Sequence, residues 1–199
     1  MGKVYFVSDL HFNHKNILIY EPSRLKMVLE YLAKERPEEY GDYDFDSILM
    51  KYKVDSDFQR FILAVHDSLL IEKWNNVVKN DDTVWFLGDL GLGNSGIVKS
   101  LVQKLKGHKK MIMGNHDMNN ISYYNECSFE FVSPYPVILK KKFVLSHAPL
   151  EDCPFFNIYG HVHSHEDYST STENSQCVCI ERQEFMPITL AVFDNYVEV

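Results

Sequence analysis

An amide, an imidazole and a carboxylate stand in a row at Asn115-His116-Asp117, directly after Gly114 and the apolar run 111–113. Such a run reads as a buried strand, so its polar successors are delivered to a strand end, where open α/β sheets gather their ligands. The chain delivers the same cargo again at Asp9 with His11, at Asp89, at His147, and at His161 with His163. Asp-x-His and His-x-His on extended segments are expected to put both donors on one side, because side chains at i and i+2 share a face. Counting Asn115, these are seven oxygen and imidazole donors, more than one divalent ion requires and suited to two that share a bridge. Mixed imidazole, carboxylate and amide donors fit Mn, Fe, Co, Ni or Zn and disfavour soft copper. Two such cations stabilise the attacking and leaving oxygens of an in-line displacement, so the chemistry to expect is hydrolysis.

The elements that must position these donors can be read outward from them. A strand over 3–8 leads to Asp9, and a short helix starts near Ile17. From Ser23, the spacing of Leu25, Val28, Leu29 and Leu32 predicts a helix that Pro37 stops. The stretch 38–54 is acidic, tyrosine-rich and without a clear period, an excursion that would serve as a lid or as a surface elaboration. Ser56-x-x-Gln59 has the form of a capping box and predicts a long helix to about residue 78. A strand over 83–87 leads to Gly88-Asp89, and a helix from about 95 to 106 ends at Gly107. Alternating strands and helices argue an α/β fold with parallel pairings. Short strands at 137–139, 143–145, 156–159 and 178–180, with little helix between them, imply a second sheet with antiparallel pairings. Residues 187–193 read as a last short helix or strand, and the Ser/Thr-rich stretch 169–175 as a hairpin or loop tip.

A length of 199 residues fits one unit spanning 1–199, with a helical and acidic insertion at about 23–55. At 45% apolar and 24% charged the chain is ordinary for a globular protein, and no run approaches the roughly 18 apolar residues of a membrane span. The N-terminus enters a strand pattern with no signal-peptide core, so the expected location is cytoplasmic. Cys127, Cys153, Cys177 and Cys179 are too few and irregular for a disulfide framework and read as reduced thiols. A net charge of −8 disfavours sequence-independent nucleic-acid binding. Two bound cations would still make one pocket locally positive, so a small phosphoester or nucleotide is the expected partner.

Bland readings compete at several positions. His66 and His108 read as structural, His165 as solvent-exposed, and Trp74 and Trp85 as core. Gly91-x-Gly93-x-x-Gly96 matches a dinucleotide fingerprint, with Asp117 as its acidic partner. Asp89 intervenes between strand and glycines, which favours a flexible loop beside the metals.

Taken in order, Asp9-x-His11, Gly88-Asp89, Gly114-Asn115-His116-Asp117, His147 and Gly160-His161-x-His163 resemble the five motif blocks of the calcineurin-like metallophosphoesterases. The resemblance spans 9–163, and Ser8-Asp9-Leu10-His11-Phe12 with the short length resembles the small bacterial and phage members. It implies two mixed β-sheets packed as a sandwich flanked by helices, in α/β/β/α layers. It also implies that Asp9, His11 and His163 hold one metal and Asn115, His147 and His161 the other, with Asp89 bridging and Mn the first expectation. A hydroxide held between the metals would attack phosphorus in line, His116 would assist the leaving oxygen, and Asp117 would orient His116. His14, with Asn115, would grip the phosphate, although Asn13 stands where similar short members carry glycine. The implied activity is phosphoester hydrolysis. A phosphodiesterase is favoured because the role of His116 suits alkoxide departure; a phosphomonoesterase acting on a small metabolite or nucleotide is the alternative. A non-catalytic metal-binding scaffold would be expected to have lost some of these residues, and all are present.

Overall fold

The computed structural model describes residues 2–165 and 174–189; the expectations for 190–193 and for most of 169–175 lie outside them. Four parallel strands, β1 (Val4–Val7), β2 (Thr83–Phe86), β3 (His108–Ile112) and β4 (Phe129–Ser133), form a sheet in the order β4-β3-β2-β1. A second sheet runs β5 (Val137–Leu139), β6 (Phe143–Leu145), β7 (Phe156–Tyr159) and β8 (Ser175–Cys177). The last described strand, β9 (Ile188–Thr189), returns to the first sheet antiparallel to β1. Both sheets are therefore mixed, as expected.

Alternation along the strands makes two cores. Tyr5, Val7, Val84, Phe86 and Met111 point to the helices. Phe6, Trp85, Leu87 and Ile112 point the other way and meet Phe143, Leu145, Phe156 and Ile158 of the second sheet. This period-two division is what lets one sheet be buried on both faces. The helices supply the outer layer of the first core: α1 (Ile17–Tyr20), α2 (Pro22–Glu35), α3 (Pro37–Tyr40), α4 (Phe45–Val54), α5 (Ser56–Val77), α6 (Ser95–Val102) and α7 (Ile121–Glu126). Trp74 and Trp85 are both buried. Among the described residues no helix is long and apolar enough to cross a membrane.

Several expectations change. Within the second sheet, among the described residues, β5 and β6 pair antiparallel, whereas β6, β7 and β8 are parallel. Parallel neighbours ordinarily need a crossover of a dozen or more residues, usually a helix, and here the stretch 146–155 crosses without one. The strand expected at 178–180 lies at Ser175–Cys177, and a 3-10 turn occupies Ile180–Gln183. Residues 38–54 are not an aperiodic excursion but α3 and α4, which pack on α2 and α5. The helix expected to reach 106 stops at Val102. α7 was not anticipated, because polar residues dominate 115–128, and neither was β4, the short alternating strand directly after it.

The long helix α5 is capped one residue earlier than the Ser56-x-x-Gln59 pattern suggests. Asp55 has extended backbone and its Oδ1 accepts the N–H groups of Asp57 and Phe58, each at 3.0 Å, while Ser56 is already helical. Asp55→Ala is therefore expected to lower unfolding stability by about 1 kcal/mol, and Ser56→Ala by under about 0.5 kcal/mol. Denaturant midpoints of the two variants check the assignment.

Candidate functional site

The register of the first sheet carries the donors to one place. Val7 pairs with Phe86 and Phe86 with Met111, so β1, β2 and β3 end level. Beyond the strands, Asp9 N–H donates to the Gly88 carbonyl (2.9 Å), His11 N–H to that of Asp89 (3.1 Å) and Phe12 N–H to that of Leu90 (3.0 Å). Ser8 N–H donates to the Val178 carbonyl at 3.2 Å, and there the two sheets join. His147 follows β6 and His161 follows β7, both at the same end.

Five of the seven donors do not stand on extended chain. Asp9 (φ 60°), His11 (50°), Asp89 (59°), His161 (75°) and His163 (49°) all adopt left-handed backbone conformations. Non-glycine residues visit this region uncommonly, and it persists only where the surroundings over-determine it. Asp9 with His11, and His161 with His163, thus converge through tight turns instead of a shared strand face. Glycines admit the close approach: a Cβ on Gly114 would lie 2.2 Å from Asp89 Oδ1, and one on Gly160 2.5 Å from Asp9 Oδ2.

Each buried carboxylate is divided between two tasks. Asp9 Oδ2 accepts the His161 N–H (2.9 Å) and the Cys179 thiol (3.2 Å). Asp9 Oδ1 has no hydrogen-bond partner and faces His163 Nε2 at 3.6 Å and His11 Nε2 at 3.8 Å. Asp89 Oδ1 accepts the His116 N–H at 3.0 Å, and its Oδ2 lies 3.6 Å from both His11 Nε2 and His147 Nε2. One oxygen of each is anchored and the other is aimed at imidazoles. Asp9, His11 and His163 could hold one cation and Asp9, Asp89 and His147 another, their donor atoms lying within 4.8 Å of one another in each group.

The tautomers fit a cation. His147 Nδ1 sits 2.8 Å from the Leu87 carbonyl, which can only accept, so that nitrogen carries the proton and Nε2 presents a lone pair. That Nε2 lies 2.8 Å from Asn115 Oδ1 and 3.2 Å from His161 Nδ1, and Asn115 Oδ1 lies 3.0 Å from His161 Nδ1. Asn157 steadies this loop: its Nδ2 donates to Ser146 Oγ (2.9 Å) and its Oδ1 accepts the Leu150 N–H (2.9 Å). The unpartnered Asp9 oxygen and the inward-turned ring nitrogens are the arrangement a bound cation would complete.

Electrostatics point the same way. Burial would push the Asp9 carboxyl up, but His11, His163 and His147 outweigh it and hold it well below the usual carboxylate range. His163 is raised to about 9 against the effect of burial, through Glu181 and Asp9. A cation at its Nε2 must therefore displace a proton. His14, beside His11 with ring centroids 5.3 Å apart, is lowered to about 4 by burial and then by the charges of His11 and His116.

His116 is exposed, its ring centroid 5.6 Å from that of His11. The expected support of His116 by Asp117 gives way to a different contact. Asp117 Oδ2 accepts the N–H groups of Asp89 (2.7 Å) and Gly114 (2.8 Å), and Oδ1 that of Leu90 (3.1 Å). The carboxylate clamps two turns together instead of touching the His116 ring. Burial pushes it up to about 6 against those donors, with the charge of Asp89 adding to the rise.

His165 is exposed, and His108 pairs with Glu130 at 2.6 Å on the surface. The Gly91–Gly96 loop is spent on packing and capping: a Cβ on Gly91 would meet the Phe12 carbonyl at 2.6 Å, and Asn94 Oδ1 accepts the Ile97 N–H at 3.1 Å to cap α6. Two residues at the site had no place in the motif pattern. Glu181 Oε1 lies 3.0 Å from His163 Nδ1, and Arg24, wholly buried, reaches Glu181 and the backbone of the Asp9 loop. Arg24 left a signal, since it falls four residues before Val28 on the apolar face of its helix. Glu181 left none.

Comparison with known proteins adds to this geometry. A profile of the calcineurin-like phosphoesterase family matches residues 2–186. An uncharacterized protein of Methanocaldococcus jannaschii is 28% identical over 210 residues, covering 100% of this chain and 93% of that protein. The Gene 66 protein of Mycobacterium phage L5 is 30% identical over 59% of this chain, a match that spans 41% of the phage protein. The crystal structure of a protein of unknown function from Aquifex aeolicus shares the fold, with a TM-score of 0.62 at 20% identity over 99% of this chain and 100% of the other.

The Asp117 clamp separates its role from that of His116 by stability alone. Asp117→Ala leaves three N–H groups without their acceptor and is expected to cost at least about 2 kcal/mol of unfolding free energy. His116→Ala, at an exposed ring, is expected to change it by under about 0.5 kcal/mol. Chemical denaturation of both variants without added metal reads the difference.

Proposed function

Because the chain belongs to the calcineurin-like phosphoesterase family, we propose that it is a metal-dependent phosphodiester hydrolase. Asp9, His11 and His163 hold one divalent cation; Asn115, His147 and His161 hold a second; Asp89 lies between them. The observation that carries this reading is the position of Asp89 Oδ2, 3.6 Å from a ring nitrogen of each set, where one carboxylate would be within reach of both cations. Two divalent cations, Mn being the first candidate, would lower the pKa of water and neutralise charge on the phosphorus oxygens.

The chain's own residues do the rest. His116, exposed and beside His11, donates a proton or hydrogen bond to the departing oxygen. Asp117 keeps the turns that carry Asp89 and His116 in register. His14 and Asn115 meet the non-reacting phosphate oxygens. A cavity of about 370 Å³ next to His14 supports a diester, since it leaves room for a second substituent on phosphorus. Lys15, Arg60 and Gln59 line it together with Leu63 and Leu92, and no acidic residue does, which suits a nucleotide-like group with anionic and apolar parts.

Protein loaded with Mn²⁺ is expected to hydrolyse bis-p-nitrophenyl phosphate faster than p-nitrophenyl phosphate, and to lose both activities to a chelator. The reverse preference would make it a phosphomonoesterase. Absence of turnover with Mn, Fe, Co, Ni and Zn alike would point to a non-catalytic scaffold. His116→Ala is expected to lower kcat by about 10²- to 10⁴-fold with unchanged metal content by elemental analysis; unaltered kcat would remove His116 from the reaction.

A further inference from the structure

We propose that Glu181, anchored by Arg24 of α2, is a positioning residue for the cation held by Asp9, His11 and His163: it fixes the ring of His163 so that Nε2 is the coordinating atom. The inference rests on the reading of these three residues as metal ligands.

His163 Nδ1 lies 3.0 Å from Glu181 Oε1, while His163 Nε2 faces Asp9 Oδ1 at 3.6 Å and His11 Nε2 at 3.2 Å. A carboxylate on one ring nitrogen takes its N–H and directs the other at the cation; such outer partners raise ligand basicity and fix orientation. Glu181 lies eighteen residues beyond His163 and outside the five motif blocks, so nothing in the donor pattern assigns it a task.

The way Arg24 holds Glu181 argues against a mere counter-ion pair. Guanidinium and carboxylate usually meet as a fork on both oxygens. Here Arg24 Nε (2.7 Å) and Nη2 (2.5 Å) both fall on Oε1, the oxygen that faces His163, and Oε2 is buried without a partner. The carboxylate is turned to suit the imidazole. Arg24 Nη1 also donates to the Leu10 carbonyl (2.8 Å) and Nη2 to the Asp9 carbonyl (2.5 Å). His66 Nε2 stands 3.3 Å from Nη1; its Nδ1 lies 2.9 Å from Asp67 Oδ1, and Asp67 Oδ2 accepts the Asn13 N–H at 3.0 Å. One buried guanidinium thus ties the loop that presents Asp9 and His11 to the side chain that orients His163.

The test is a Mn²⁺ titration of the full chain, with free Mn²⁺ counted by electron paramagnetic resonance, so that each bound ion is resolved without reference to turnover. Wild type is expected to bind two. Glu181→Met is expected to weaken one of them by about 10- to 100-fold and leave the other unchanged, and Glu181→Gln, which keeps an acceptor oxygen, to recover most of the loss. Glu181→Asp keeps the charge beside Arg24 but draws the carboxylate back by one methylene, and is expected to show the same selective weakening. It decides the matter if Glu181→Met fails to fold. Wild-type affinity for both ions in Glu181→Asp, or parallel weakening of both, would overturn the proposal in favour of a purely structural ion pair. A wild-type chain that bound no Mn²⁺ would instead sink the metal-centre reading, and this inference with it.

Discussion

Two carboxylates taken out of water govern this end of the molecule: Asp9 is 0% exposed and Asp89 2%. Burying an ionised carboxylate costs several kcal/mol unless charges and donors meet it. Both side chains meet the demand alike, one oxygen held by a backbone N–H and the other presented to imidazoles. The left-handed turns and the glycines at 114 and 160 follow from it, since they bring backbone against carboxylate. Strained backbone here is a consequence of the charges to be satisfied, and the packed sheets below are what hold it.

The parts of this arrangement legible in the sequence were those with a period or a type. Apolar runs before Asp9, Asp89 and Asn115 marked parallel strands, and the donor types marked a site for Mn, Fe, Co, Ni or Zn at their ends. What the residue types could not convey was the geometry between them. Asp-x-His suggested a shared strand face, yet both positions sit in left-handed turns. Asp117 stood next to His116 and was assigned to it, yet its oxygens reach backbone N–H groups in two turns. Neighbours in number are weak guides where the chain reverses direction at every residue or two. Ser175-Gln176-Cys177 makes a strand with little apolar signal because the sheet beside it, not its own composition, specifies it.

The helices between Pro22 and Val77 join the ligand loop to the rest of the fold. Tyr52 of α4 donates to the Lys15 carbonyl at 2.7 Å, Asp67 of α5 accepts from Asn13, and Arg24 of α2 holds Asp9 and Leu10. Three elements therefore grip the stretch 9–15 from one side while the strand ends grip it from the other. An Arg on the apolar face of α2 would be a liability in a helix that only covered a core; here it is the point where that helix touches the chemistry.

The bridge between Ser8 and Cys179 spans almost the whole described chain. Contacts so remote in sequence carry a large loop-closure cost, which favours slow folding. The donor set is incomplete in a shorter polypeptide: the residues before Ile112 can bring together Asp9, His11 and Asp89, but His147, His161 and His163 arrive only with the second sheet. A site complete in all seven donors thereby needs both sheets at once, the first for Asp9, His11, Asp89 and Asn115 and the second for His147, His161 and His163.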